Sequence, residues 1–211
     1  MIRILIADDH AIVRAGMKQL VAENSAMIVE AEAKSGADVM ELLSKKKIDI
    51  VLLDISMPGR GGLETLSEIR QKYPRLPVLI LSMHPEEQYA IRAFKSGASG
   101  YITKDSATEE LIAAIVKVAN GGKYITRSFA EEFLHLLDLN EIAPHETLSN
   151  REYQVFRLVA SGKTATQIAT ELSLSIKTIS TYRARILQKL NLKNNAQLIH
   201  YAAQKKLFKD E

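Results

Sequence analysis

The chain has no cysteine among its 211 residues, which excludes disulfides, thiolate metal sites and cysteine nucleophiles and suits a reducing compartment. No apolar stretch approaches the ~20 residues needed to span a bilayer. The opening MIRILIADD carries one basic residue and then acids, unlike a secretory leader. A cytoplasmic protein with no membrane partner is expected. Internal repeats and low-complexity segments are also missing.

What is there is an ordinary globular composition, 46% hydrophobic and 25% charged, with its charge unevenly placed. Residues 1–144 hold 17 Lys and Arg against 20 Asp and Glu, whereas residues 145–211 hold 11 against 5. A short basic segment behind a slightly acidic one fits a polyanion partner, and equally fits a solvated basic surface.

Short, branched apolar runs at 2–7, 28–31, 48–53, 78–81 and 100–102 read as strands, separated by helical patterns such as 11–23 and 63–72. Strands apolar at nearly every position belong to a parallel sheet covered on both faces, so an α/β, doubly wound five-stranded sheet is expected over about residues 1–120. Gly121 and Gly122 end its last helix. Phe129, Phe133, Leu136 and Leu137 suit a short linker helix at 128–139, which Pro144 breaks. Beyond lie four helical patterns and no strand: 149–160, 164–172, 175–190 and 195–206. Ser149 and Glu152 have capping-box spacing, and Gly162 stands where that helix should stop. The expected division is 1–122, a linker at 123–144, and a small all-α domain of four helices at 145–211.

Polar residues gather where such sheets bind ligands, outside the carboxyl ends of the strands. Asp8 and Asp9 follow the first strand, Asp54 ends the third, Ser82 the fourth and Lys104 the fifth. Three carboxylates at one edge repel one another unless a cation sits among them, and all-oxygen ligands favour Mg²⁺. Asp9 and Asp54 would be its carboxylate ligands, with Asp8 holding waters or a further oxygen position. A carboxylate is also a nucleophile toward phosphorus once cations neutralise the phosphoryl oxygens. Lys104 can be one such cation, and the Ser82 hydroxyl can follow a phosphoryl oxygen. Taken singly, these are a solvated acid, a surface lysine and a helix cap, and Tyr101 is a core residue; the joint pattern carries the reading.

The segments IADDH, LLDISMPGRGG, LSMH and GYITKD resemble the successive motifs of the receiver domain of bacterial two-component response regulators, over about residues 1–120. The resemblance implies a flavodoxin-like fold and phosphorylation of Asp54 by a sensor histidine kinase. It implies Mg²⁺ on Asp8, Asp9, Asp54 and the Ser56 backbone carbonyl, with Ser82, Lys104 and Tyr101 as phosphoryl-binding and switch residues. Ser56 and His84 would line the site and tune the phosphate's lifetime. Asp105 follows Lys104 where many receivers carry proline, leaving that peptide geometry open.

In the C-terminal part, a helical wheel centred on Ile179 puts Tyr182, Ile186 and Leu190 inward and Lys177, Thr181, Ala184 and Gln188 outward, with Ser180 and Arg185 at the margins. Ser175 suits the N-cap. Such an outward face fits the major groove, and Arg183, Arg185, Lys189 and Lys193 would add phosphate contacts. Small Ala169 would let the preceding helix cross closely.

The string from Leu148 to Leu198 resembles the LuxR-type helix-turn-helix. The whole chain thus resembles the NarL/FixJ class of response regulators, and TISTYRAR the GacA/UvrY-like branch. That implies phosphorylation-controlled transcription regulation through double-stranded DNA, with Lys177, Thr178, Ser180, Thr181, Arg183, Ala184, Arg185, Gln188 and Lys189 as DNA contacts. It also implies a homodimer through Leu198, Ile199 and Ala202, residues that equally suit the domain core. Ser173 replaces a common glycine, so the turn is expected to be strained, and Tyr182 replaces a frequent histidine.

Rival outputs are RNA or protein binding. A haloacid-dehalogenase-type phosphatase would want a second acid two residues after its nucleophile, where this chain has Ser56. No enzymatic activity is expected beyond self-phosphorylation from phosphodonors and slow autodephosphorylation.

Overall fold

A computed structural model describes residues 1–57, 61–83, 86–106, 108–126, 130, 144–205 and 207, with residues 86–88 described for the backbone alone. The expected linker helix and His84 fall outside the described residues. The chain divides into two compact units, Met1–Leu137 and Asp138–Glu211.

The first unit is a five-stranded sheet in the order β2-β1-β3-β4-β5, with every pairing parallel. The strands are β1 Ile2–Ala7, β2 Met27–Ala33, β3 Ile50–Asp54, β4 Val78–Ser82 and β5 Gly100–Thr103. Between and after them run α1 Ala11–Ala22, α2 Gly36–Lys45, α3 Gly62–Lys72, α4 Glu86–Lys95 and α5 Thr108–Ala119. β3 and β4 are buried at every position, as helices on both faces require. One core cluster joins Ile4, Ile6, Ile50, Leu52, Leu79 and Leu81 to Ile115 and Val118 of α5.

Two strand bounds differ from the sequence reading for physical reasons. β2 is an edge strand with Ile28 and Glu32 exposed, so its apolar run looks shorter than the strand. β3 starts later than residue 48, because the Asp49 carboxylate instead accepts from the Arg3 backbone N–H at 2.8 Å and from the Arg3 guanidinium at 2.8 and 2.9 Å.

Helix α5 stops by a Schellman turn: Gly121, at φ 84°, donates to the Val118 carbonyl and Gly122 to that of Lys117. The next residues do not leave the sheet at once. Tyr124 N–H donates to Ser99 O at 2.9 Å, and Tyr101 N–H to Tyr124 O at 3.3 Å. The Lys123 ammonium reaches Ala98 O at 2.8 Å and the Tyr124 hydroxyl reaches Glu110 at 2.8 Å. The start of the expected linker thus lies against the edge of β5. Gly100 permits this, since a β-carbon there would come within 2.9 Å of Tyr124 Cβ and 2.8 Å of Leu79 Cδ1.

In the second unit a single 3₁₀ turn, Pro144–Thr147, precedes α6 Asn150–Ala160, α7 Ala165–Glu171, α8 Ile176–Lys189 and α9 Asn195–Gln204. Each helix has an oxygen-bearing N-cap, Ser149, Thr164, Ser175 and Asn194 respectively, accepting from a backbone N–H three residues on. The expected capping box forms, with Ser149 N–H donating back to Glu152 at 2.7 Å. The core is Leu148, Val155, Phe156, Ile168, Ile179, Ile186 and Leu198.

Candidate functional site

The order 2-1-3-4-5 makes the sheet reverse direction between β1 and β3, and the crevice outside the carboxyl ends at such a point is where ligands bind. Register then decides what meets there. Ala7 pairs with Leu53, Asp54 with Leu81 and Ser82 with Thr103, so the strand ends stay in step. The residues just past them share one edge.

The Lys104 ammonium lies 2.6 Å from Asp8 Oδ2 and 3.1 Å from Asp54 Oδ2, with Asp8 and Asp54 fully buried. Asp9 is 30% exposed, and its carboxylate meets the His10 ring at 3.0 Å. Ligand atoms of Asp8, Asp9, His10 and Asp54 all lie within 4.8 Å of one another. Burial pushes the Asp54 carboxyl above the usual carboxylate range; Lys104 offsets part of this, and Asp8 adds to it. Carboxylate oxygens of all three aspartates crowd together with the Lys104 ammonium and the His10 ring beside them, and one ammonium cannot balance three carboxylates. The set therefore fits a divalent, oxygen-seeking cation.

The other pocket residues fall at the same edge. Ser82 is buried at the end of β4, and its carbonyl accepts from Lys104 N–H at 2.8 Å. Tyr101 is fully buried on β5, and Ser56 is exposed two residues after Asp54. Among the described residues no peptide bond is cis, the Lys104–Asp105 bond included.

Gly62, the first residue of α3, sets how closely that helix approaches. A β-carbon there would overlap the Asp54 carbonyl oxygen and lie 2.7 Å from Ile55 Cα, both of them backbone that cannot swing aside. Gly62→Ala is expected to lower the first unit's stability by about 1–3 kcal/mol, read as a fall in its thermal midpoint. An unchanged midpoint would mean that α3 shifts without cost.

In the second unit, α7 and α8 form a helix-turn-helix. The turn is another Schellman motif, with Ser173 N–H on Thr170 O and Leu174 N–H on Ala169 O. Ser173 takes φ 52°, the left-handed conformation that explains why glycine suits this position. Ala169 is buried at the crossing. On α8, Ile179, Ile186 and Leu190 are buried while Lys177, Ser180, Thr181, Arg183, Ala184, Arg185, Gln188 and Lys189 are exposed and Thr178 is partly so. Lys177, Thr181, Ala184 and Gln188 share the side of α8 opposite the buried Ile179, whereas Arg183 lies beside its buried side.

Two of the sequence expectations need amending. Leu198 is fully buried and Ala202 nearly so, both in the domain's own core, whereas Ile199 remains 41% exposed; the first two cannot face a partner without unpacking the unit. Lys189 is not simply a free surface cation. It reaches the buried Glu152 carboxylate at 2.6 Å, tying α8 to the first turn of α6.

Residues 4–116 match the response regulator receiver domain family, and residues 146–202 match the luxR family of bacterial regulatory proteins. The oxygen regulatory protein NreC of Staphylococcus epidermidis is 37% identical, covering 97% of this chain and 98% of its own. The response regulator UvrY of Escherichia coli is 34% identical over 96% of this chain and 94% of its own. This chain belongs to the response regulators.

It is a DNA-binding member of the NarL/FixJ class, and its class is one of transcriptional regulators. Its fold matches that of Salmonella RcsB, solved bound to the rprA promoter in the presence of the phosphomimetic BeF₃⁻, at a TM-score of 0.64 and 26% identity over 96% of this chain and 99% of that one. No helix among the described residues of this response regulator is long and apolar enough to cross a membrane.

Sequence reasoning about the response regulator missed His10, Arg14, Glu32 and the Glu152–Lys189 pair. The Arg14–Glu32 and Glu152–Lys189 contacts depend on which elements pack together; Glu152 was flagged only through its capping-box spacing and Lys189 only as a DNA contact. For Glu152, burial alone would raise the carboxyl, but hydrogen bonds from Lys189 and Ser149 outweigh it and hold it below its ordinary value. A depressed carboxyl contributes stability that is present above the unfolded value, about 4.3, and lost as pH falls through the lower folded value. The second unit is expected to show this acid-side loss, and Glu152→Gln to flatten it, in urea midpoints read from α6 amide signals. An identical pH slope in both proteins would remove the pair from the account.

Proposed function

We propose that Asp54 is the phosphoacceptor of this response regulator, taking a phosphoryl group from the phosphohistidine of a sensor histidine kinase, and that the modified chain regulates transcription as a homodimer on double-stranded DNA in the cytoplasm. The observation that carries this reading is the Lys104 ammonium poised against both Asp8 and Asp54, three residues delivered by separate strand ends.

In this reading an Asp54 carboxylate oxygen attacks phosphorus; the P–O bond forms as the P–N bond to the kinase imidazole breaks, and the imidazole leaves with the electron pair. Lys104 moves its ion pairing to a phosphoryl oxygen, and the Ser82 hydroxyl donates to another. Asp8, Asp9, Asp54 and the Ser56 carbonyl would hold Mg²⁺, which supplies charge neutralisation at the phosphoryl oxygens. Tyr101 and Ser82 then bias a two-state packing of the nearby helices. Apart from this self-phosphorylation and slow dephosphorylation, no turnover is part of the proposal.

On α8, Lys177, Thr178, Ser180, Thr181, Ala184 and Gln188 would face base edges and backbone in the major groove, with Arg183 and Arg185 on phosphates, and Lys189 joining them only by exchanging Glu152 for a phosphate. The capture of RcsB on promoter DNA with BeF₃⁻ and as dimers on DNA supports carrying both roles to this chain. Genome-fragment selection with wild type and Asp54→Asn, each with Mg²⁺ and beryllofluoride, tests the whole reading. Enrichment of related inverted repeats by wild type alone is expected; equal enrichment by both proteins would end it.

A further inference from the structure

We propose that Arg14 is a positioning residue for the acidic pocket: its guanidinium fixes the peptide that carries Asp8 into Asp9, and so sets where the Asp9 carboxylate stands. The inference rests on the reading that these carboxylates hold Mg²⁺.

Arg14 is 7% exposed, an unusual place for a guanidinium unless its donors are used. One of its terminal nitrogens donates to the Asp8 carbonyl oxygen at 2.7 Å. Its Nε lies 3.5 Å from Glu32 Oε2, and the other oxygen of Glu32 is held by Lys18 at 2.6 Å. Arg14 thus bridges α1, the end of β2 and the turn after β1.

Every polar group of Asp8 is held from a different direction. Its N–H donates to Ala33 O at 3.2 Å, its Oδ1 accepts from His10 N–H at 2.8 Å, and its Oδ2 faces Lys104. Arg14 supplies the remaining restraint, the one on the carbonyl. Because a peptide is planar, the direction of the Asp8 C=O dictates that of the Asp9 N–H and hence the position of Asp9 Cα. Asp9 is the most exposed of the three acids, and its carboxylate meets a His10 ring that is itself 64% exposed.

Partners behind metal ligands commonly change affinity about 10–100-fold when lost. Charge alone predicts the opposite sign, since deleting a cation near the pocket removes a repulsion toward Mg²⁺. Titrating the full chain with Mg²⁺ alone, followed by amide NMR well below the melting point, separates the two. Arg14→Met is expected to weaken Mg²⁺ binding about tenfold or more, with Arg14→Lys recovering part of the loss. Arg14→Gln, which also removes the charge but keeps an N–H donor, is expected to give a smaller loss of the same sign and serves if Arg14→Met does not fold. Unchanged or tighter binding in the folded variants would overturn the proposal and leave Arg14 a staple of the fold. Failure of wild type to bind Mg²⁺ would overturn the pocket reading itself, and this inference with it.

Discussion

Asp54→Asn is expected to make the receiver domain more stable at neutral pH in the absence of divalent ions. The Asp54 carboxyl is raised by burial, with Lys104 offsetting only part and Asp8 adding to it. A raised carboxyl binds its proton more tightly in the folded chain, so its stabilising contribution is complete below the unfolded value of about 3.9 and is lost as pH rises through the folded one. At neutral pH the ionised side chain works against folding, and an amide of the same shape removes that cost. The gain is expected to appear as a higher thermal midpoint, by about 4 °C for each kcal/mol recovered. Added Mg²⁺ should raise wild type more than the variant and narrow the gap. A variant that melts lower than wild type without Mg²⁺ would mean that Lys104 already balances the pocket.

The largest effect in the DNA-binding domain is expected from Phe156→Ala. Phe156 is fully buried between Tyr153 and Tyr201, with ring centroids at 6.0 and 6.3 Å. It therefore joins α6 to α9. Truncating such a residue removes its transfer energy and leaves a cavity, costing about 3–5 kcal/mol, a large part of what a small domain has in hand. Chemical denaturation should show an early transition for this unit alone, with DNA binding lost and the receiver's transition unmoved. A shift below about 1 kcal/mol would place the domain's core elsewhere.

Both variants act through features with different visibility in the sequence. Phe156 lies within the helical pattern 149–160, so the helix that carries it was legible. The electrostatic penalty at Asp54 was not, because it depends on Asp8 and Lys104 being brought beside it by strand register. Helix starts and stops were legible for a local reason: Ser149, Ser175 and Gly162 act on backbone groups within a few residues. The inward turn of α9 was not: Leu198 and Ile199 are adjacent and both apolar, and only packing against the rest of the unit buries one and leaves the other exposed.

By itself the amino-acid order determined the alternation of strands and helices, the acidic strand ends and the amphipathic face of α8, since each is written in a period of two to four residues or in a short motif. Tertiary structure alone decided that Arg14 would reach the Asp8 carbonyl, that Lys189 would turn to Glu152, and that Tyr124 would close on the edge of β5. Those contacts join different elements, and their partners are chosen by how the elements pack and not by any short motif.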